Sequence, residues 1–192
     1  MRYHISMAKK VNNSIKQETK SGQKFWLVKS EAECYSIDDL KRDSQSGNGK
    51  KGGPVPWEGI RNFQARNFMR DGMKINDLVL FYHSNGTPKS PAGVYGTARV
   101  ASEAHIDESA LNPKDEHFDP KAVAYVKAGK PPMWMCVDLE FVSKFAQPVF
   151  LADLKREGAK LSGMLVLQNG QRLSVMPVSQ AHFERVVELG NA

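Results

Sequence analysis

Cysteine is nearly absent: Cys34 and Cys136 are the whole complement of the 192-residue chain. Two thiols cannot build a disulfide framework or a four-thiolate metal site. A reducing compartment, the cytoplasm or in a eukaryote the nucleus, is the simplest setting. No apolar run approaches the roughly 20 residues of a membrane-spanning helix, and the N-terminus lacks the apolar stretch of a signal peptide. There is no Walker loop, no H-E-x-x-H and no G-x-S-x-G. A literal G-x-G-x-x-G occurs at Gly47, Gly49 and Gly52. It has a polar run before it and Gly53-Pro54 after it, where a dinucleotide site needs a strand and a helix N-terminus. His105 and His117 sit near carboxylates but without the helical spacing of a metal site. Ser84 and His83 are strand neighbours and point to opposite faces, so they make no nucleophile–base pair. No cofactor and no metal are expected.

What is present is a soluble-type composition, with 41% apolar and 25% charged residues, enough for one full core. The net charge of +6 is uneven. Arg2, Lys9, Lys10, Lys16, Lys20 and Lys24 face only Glu18 in the first 24 residues. That polar, non-periodic stretch cannot bury enough surface to order itself, so residues 1–22 read as a disordered basic tail and 23–190 as one domain. Within the domain, basic residues cluster over 41–70 and acidic residues over 103–119. Such a field favours a polyanion at one end of the fold; two solvated loops of chance sign are the alternative.

Alternating short strands and helices follow. Strands are predicted over Phe25–Lys29, Asp77–Ser84, Ala92–Ala104 and Trp134–Val142, and short extended pieces over Leu165–Gln168 and Leu173–Val175 around an Asn169-Gly170 hairpin turn. Ser36-Ile-Asp-Asp39 is a capping box, starting a helix at Ile37. Further helices are expected from about Asn62 to Arg70, over Leu151–Arg156 and after Ser179. Residues 44–56 are a loop, and the acidic stretch with Pro113, Pro120, Pro131 and Pro132 is another. Gly93 and Gly96 mark a bulge or a close backbone approach. Strand dominance without a βαβ rhythm predicts a mixed α+β domain built on a small barrel.

The chemistry concentrates in three segments: Lys29-Ser30-Glu31, Trp57 through Arg61-Asn62 to Arg66-Asn67, and Phe81-Tyr82-His83-Ser84-Asn85. Trp and Phe/Tyr supply flat walls for an extruded base. Arg and Asn suit the edge of a heterocycle. The competing reading makes Trp57 a core staple and pairs Arg61 with Asp38 or Asp39.

The runs WLVKSE, SIDDL, PWEGIRNFQARNFMR and FYHSN together resemble the EVE domain, a member of the PUA-like superfamily, over about residues 23–190. The resemblance implies a five- or six-stranded barrel-like, strongly curved sheet with short surrounding helices and a pocket where the three segments converge. Superfamily relatives include PUA and ASCH domains, which handle RNA, and YTH domains, which hold a methylated adenine between aromatic walls and carry a Lys-Ser pair like Lys29-Ser30. The implied partner is DNA or RNA carrying a modified base, and the implied protein a non-catalytic module, taken as a monomer. Its pocket would use Lys29, Ser30, Trp57, Arg61, Asn62, Phe81, Tyr82, His83 and Ser84. Arg66, Arg70, Lys50 and Lys51 would meet phosphate. Two departures stand out: Ala32 replaces the family's proline after Lys-Ser-Glu, and the 44–56 loop is long and glycine-rich. A rival class is a small amidohydrolase acting on a modified nucleobase, with Lys29 as the activated amine and Glu31 as acid/base. A peptide-binding scaffold is a third reading.

Overall fold

The computed structural model describes residues 22–45 and 52–192. The expected disorder of residues 1–21, and Lys50 and Lys51, lie outside the described residues. Strand β1 (Phe25–Glu31) leads to helix α1 (Ile37–Ser44), then to the short strand β2 (Val55–Pro56) and helix α2 (Phe63–Asn67), which widens into a π turn at Phe68–Gly72. Strands β3 (Leu78–Ser84), β4 (Gly93–Val100) and β5 (His105–Ile106) follow, then helix α3 (Pro120–Lys127). Strands β6 (Met135–Cys136) and β7 (Asp138–Phe150), helix α4 (Leu151–Arg156), strand β8 (Val175–Val178) and helix α5 (Gln180–Gly190) complete the order.

Six strands form one curved mixed sheet in the order β2-β7-β4-β3-β1-β8, and β5 pairs with β6 apart from it. β1 runs parallel to β3, with Lys29 opposite Tyr82 and Ser30 opposite His83. The register slips between Phe81 and Tyr82 and again between Val94 and Gly96. These bulges bend the sheet. A Cβ on Gly96 would run into the Ser143 carbonyl oxygen of β7, so the two strands approach there only without a side chain.

The strand period of 2 sorts the core onto two faces. Phe25, Leu27, Leu78, Leu80 and Tyr82 pack on one side with Phe183, Val186 and Val187 of α5. Trp26, Val28, Val79 and Phe81 pack on the other with Ile37 and Leu40 of α1, Trp57, and Met69. The Ser36–Asp39 capping box is present, and Ser179 caps α5 by accepting from His182 N. Among the described residues, no helix is long and apolar enough to cross a membrane.

Several sequence expectations need correction. The Pro-broken acidic stretch contains α3, capped by Asp119 with Pro120 in its first turn. Proline there surrenders no helical hydrogen bond. Leu165–Leu167 is a 3-10 turn rather than a hairpin strand. β7 runs to Phe150, well past Val142, because Gly93 and Val94 of β4 pair with its last residues.

A candidate base-binding site beside Trp57

The end of β1, the residues before α1 and the stretch from β2 to α2 converge on a cavity of about 300 Å³, the lower end of the range for small-ligand pockets. Trp57 and Tyr35 supply its aromatic lining, Lys29 and Ser30 the strand end, and Glu58, Glu116 and His117 a polar wall. Trp57 is 7% exposed and so belongs to the core as well as to the cavity. Its ring meets Phe81 edge-on at 5.4 Å and Tyr35 at 6.3 Å. Its amide donates to Val137 O at 2.8 Å. The indole Nε1–H is buried without a hydrogen-bond partner among the described residues.

Arg61 does not turn into the cavity, nor does it pair with Asp38 or Asp39. Its guanidinium holds Asp107, 2.7 Å away, and donates to the His117 carbonyl oxygen and to Ser109 Oγ. Asp107 is 1% exposed. Burial pushes its carboxyl up, but hydrogen bonds from Ser109 and Arg61, the Arg61 charge and the Gly59 N–H outweigh this and leave it below the usual carboxylate range. Arg61 therefore ties the acidic segment against the basic one, and the two charge clusters meet instead of lying at separate ends. The clamp also fixes Glu116 and His117 as cavity lining.

The other nominated residues separate by role. Phe81 is fully buried behind Trp57. Asn62 caps α2, its Oδ1 accepting from Gln64 N and Ala65 N. That use of the amide answers the orphan donors of a helix start. Tyr82 packs on the opposite face of the sheet. The Lys29 ammonium turns to that face too, 5.9 Å from the Tyr82 ring and 3.3 Å from Gln171 O. Burial lowers the Lys29 pKa. Glu31 accepts from Asn85 Nδ2, so the amine and carboxylate of the amidohydrolase reading are both engaged away from the cavity. Ser84 ends β3 and does not line the cavity. Arg66 donates to Met133 O and lies over Phe63, and Arg70 grips Asp71 in a two-point pair. Cys136 is a packing thiol whose pKa burial raises, whereas Cys34 is exposed at the cavity. Among the described residues no cluster of His, Cys, Asp and Glu suits a metal ion.

His83 is buried and engaged within the fold. Its Nε2 accepts from Ile37 N at 3.1 Å, so Nδ1 carries the proton toward Ser90 Oγ, and its ring stacks on Tyr95 at 3.9 Å. Desolvation lowers its pKa to about 4. Between that value and the unfolded value, about 6.5, the unfolded chain binds the extra proton. Stability should therefore fall as pH drops from about 6.5 to about 4, by up to roughly 3 kcal/mol. Urea denaturation across this window checks it. His83→Gln, which keeps an acceptor for Ile37 but does not titrate, should flatten the slope; an unchanged slope contradicts the assignment.

Gly59 is the second point of close approach. Its φ is 78°, and a Cβ there would enter the His117 ring. Gly59→Ala should cost about 1–3 kcal/mol and displace the His117 wall. Gly129→Ala is the control, because it shares a positive φ but faces open space. Equal losses of thermal stability in the two variants would show that the His117 contact carries no weight.

Sequence reasoning missed Tyr35, Glu58, Glu116 and His117. Tyr35 had a local signal, an aromatic residue between the Lys-Ser strand end and the capping box. Glu116 and His117 had none, because the Arg61–Asp107 pair that brings them in spans 46 positions.

Residues 24–189 match the EVE domain family. Human thymocyte nuclear protein 1 is 33% identical over 202 residues, covering 94% of this chain and 83% of that protein. The zebrafish (Danio rerio) protein of the same name is 36% identical over 183 residues, 86% of this chain and 71% of that one. A crystal structure of human THYN1 protein in complex with 5-methylcytosine containing DNA superposes with a TM-score of 0.73 at 33% identity, covering 88% of this chain and 99% of that one. A Pseudomonas putida protein gives 0.73 at 37% identity, covering 86% and 99%. The chain belongs to the EVE domain family.

Proposed function

We propose that this protein is a non-catalytic module that binds nucleic acid by taking one modified base, with 5-methylcytosine in DNA the first candidate, into the cavity beside Trp57. The observation that carries the reading is the cavity itself: an aromatic-lined space at the end of β1, in a fold shared with a THYN1 protein crystallised with 5-methylcytosine containing DNA. A base leaving the duplex loses its stacking and pairing, and flat side chains restore part of that energy. Trp57 and Tyr35 are placed for this. Ser30 lines the same space and offers a short polar group to the base edge. The reading places the protein where nucleic acid is, in the cytoplasm or in a eukaryotic nucleus.

The test is binding to duplexes that differ by one methyl group on a single cytosine. Preference for the methylated duplex supports the reading, and equal affinity overturns it. Affinity should also fall with rising salt, since phosphate contacts release counterions. The slope should be shallow for this chain, because Arg70 must first leave Asp71 and Arg66 is tied to Met133. A steep slope would mean that basic residues other than Arg66 and Arg70 dominate.

A further inference from the structure

The polar wall of the cavity is acidic, and that restricts which base it can accept. Glu58 follows Trp57 directly and lines the same cavity. Its backbone is held on both sides: Trp57 N donates to Val137 O, and Gly59 N donates to Asp107 Oδ2 at 3.1 Å. The carboxylate itself makes no hydrogen bond or ion pair among the described residues. The adjoining indole carries the buried Nε1–H that also lacks a partner. A wall with an unengaged acceptor next to an aromatic face is built for a flat ring that brings its own donor.

We propose that Glu58 is the specificity-determining residue of this cavity, accepting from the exocyclic amino group of a cytosine-class base and thereby excluding the keto pyrimidines. The inference rests on the base-binding reading above and adds the chemical class of the ligand. An ionised carboxylate has acceptors only. Cytosine presents an amino donor at its C4 position, where thymine presents a carbonyl oxygen. Against thymine two acceptors would face each other with no proton between them, in a partly desolvated space where an unmade hydrogen bond is expensive. Burial, together with the charges of Asp107 and Asp115, raises the Glu58 pKa, so its oxygens are stronger acceptors than those of a free glutamate. Glu116 lines the cavity as well, but it stands on the clamped acidic segment, whereas Glu58 adjoins the indole in the chain.

5-Methylcytosine and thymine share the 5-methyl group, so comparing them isolates the pairing edge, where the C4 amino group becomes a keto oxygen and N3 changes from acceptor to N–H donor. Each is placed opposite thymine in otherwise identical duplexes. Neither is then Watson–Crick paired, and the cost of extrusion is similar. The wild-type protein should prefer 5-methylcytosine by about tenfold or more. Glu58→Gln, whose amide both donates and accepts, should bring the two affinities within about twofold. Glu116→Gln should keep the wild-type ratio. The inference is overturned if Glu58→Gln keeps the wild-type ratio, if Glu116→Gln is the variant that loses it, or if the wild type shows no preference for the amino base. A wild type that discriminates methylated from unmethylated cytosine but fails this comparison loses Glu58 as selector and retains the base-binding reading. A wild type that fails both loses the two together. Because Glu58 is exposed, thermal melts of the variants should match the wild type, which separates a recognition effect from a folding one.

Discussion

Arg61→Met should lower the free energy of unfolding by about 3–5 kcal/mol. The substitution removes the counter-ion from Asp107, whose side chain is 1% exposed against 26% for Arg61. A buried carboxylate left with only Ser109 and the Gly59 amide must stay charged in a poor solvent or take up a proton. Asp107→Asn should be milder, since it removes the charge that needs compensating. The double variant should lose less than the sum of the singles, the mark of a direct coupling. The pH dependence has a defined sign. The folded Asp107 pKa is depressed, so its contribution is present above the ordinary carboxylate range and is lost as pH falls through the folded value. In Arg61→Met that acid-side loss should shrink. Urea denaturation at neutral and acid pH checks both points. A loss below about 1 kcal/mol would place the pair among ordinary surface salt bridges.

Trp57 carries the second large effect. Trp57→Ala should cost about 3–5 kcal/mol of stability, because it empties a buried site packed against Phe81. It should also weaken binding of a 5-methylcytosine duplex about tenfold or more, since base–aromatic stacking contributes roughly 1–3 kcal/mol. The two effects are separable. Trp57→Leu keeps much of the apolar volume but has no flat face, so its affinity should fall about tenfold while more of the stability is retained. Thermal melts and fluorescence anisotropy on the same preparations provide the comparison. Wild-type affinity in Trp57→Leu would mean that Trp57 is a core residue only and that the stacking wall is elsewhere.

The parts of this protein that were legible in its sequence are those set by local rules. β1 and β3 announce themselves by alternation, and the Ser36–Asp39 box and the Ser179 cap mark helix starts. Trp57, Lys29 and Ser30 could be nominated from residue type and resemblance, and all three line the cavity. Residue type also nominated Asn62, Tyr82 and His83, which do not line the cavity. An amide, a phenol and an imidazole suit a base pocket, but equally a helix cap, the far face of a strand and a buried bridge to Ile37. Strand parity already put Tyr82 and Phe81 on opposite faces, so only one of them could lie behind Trp57. The Glu116–His117 part of the polar wall was not legible at all. It depends on Arg61 selecting Asp107 over nearer carboxylates, a choice made by burial and by the carbonyl of His117. α3 was hidden by its own proline, which reads as a breaker until Asp119 is seen to cap it.

The most direct measurement is a crystal structure of this protein with a duplex carrying one 5-methylcytosine. The methylated base should lie outside the helix, flat against Trp57, with Tyr35 and Ser30 within contact and Glu58 at its amino group. A methylated base still stacked in the duplex, with the space beside Trp57 unfilled, would contradict it.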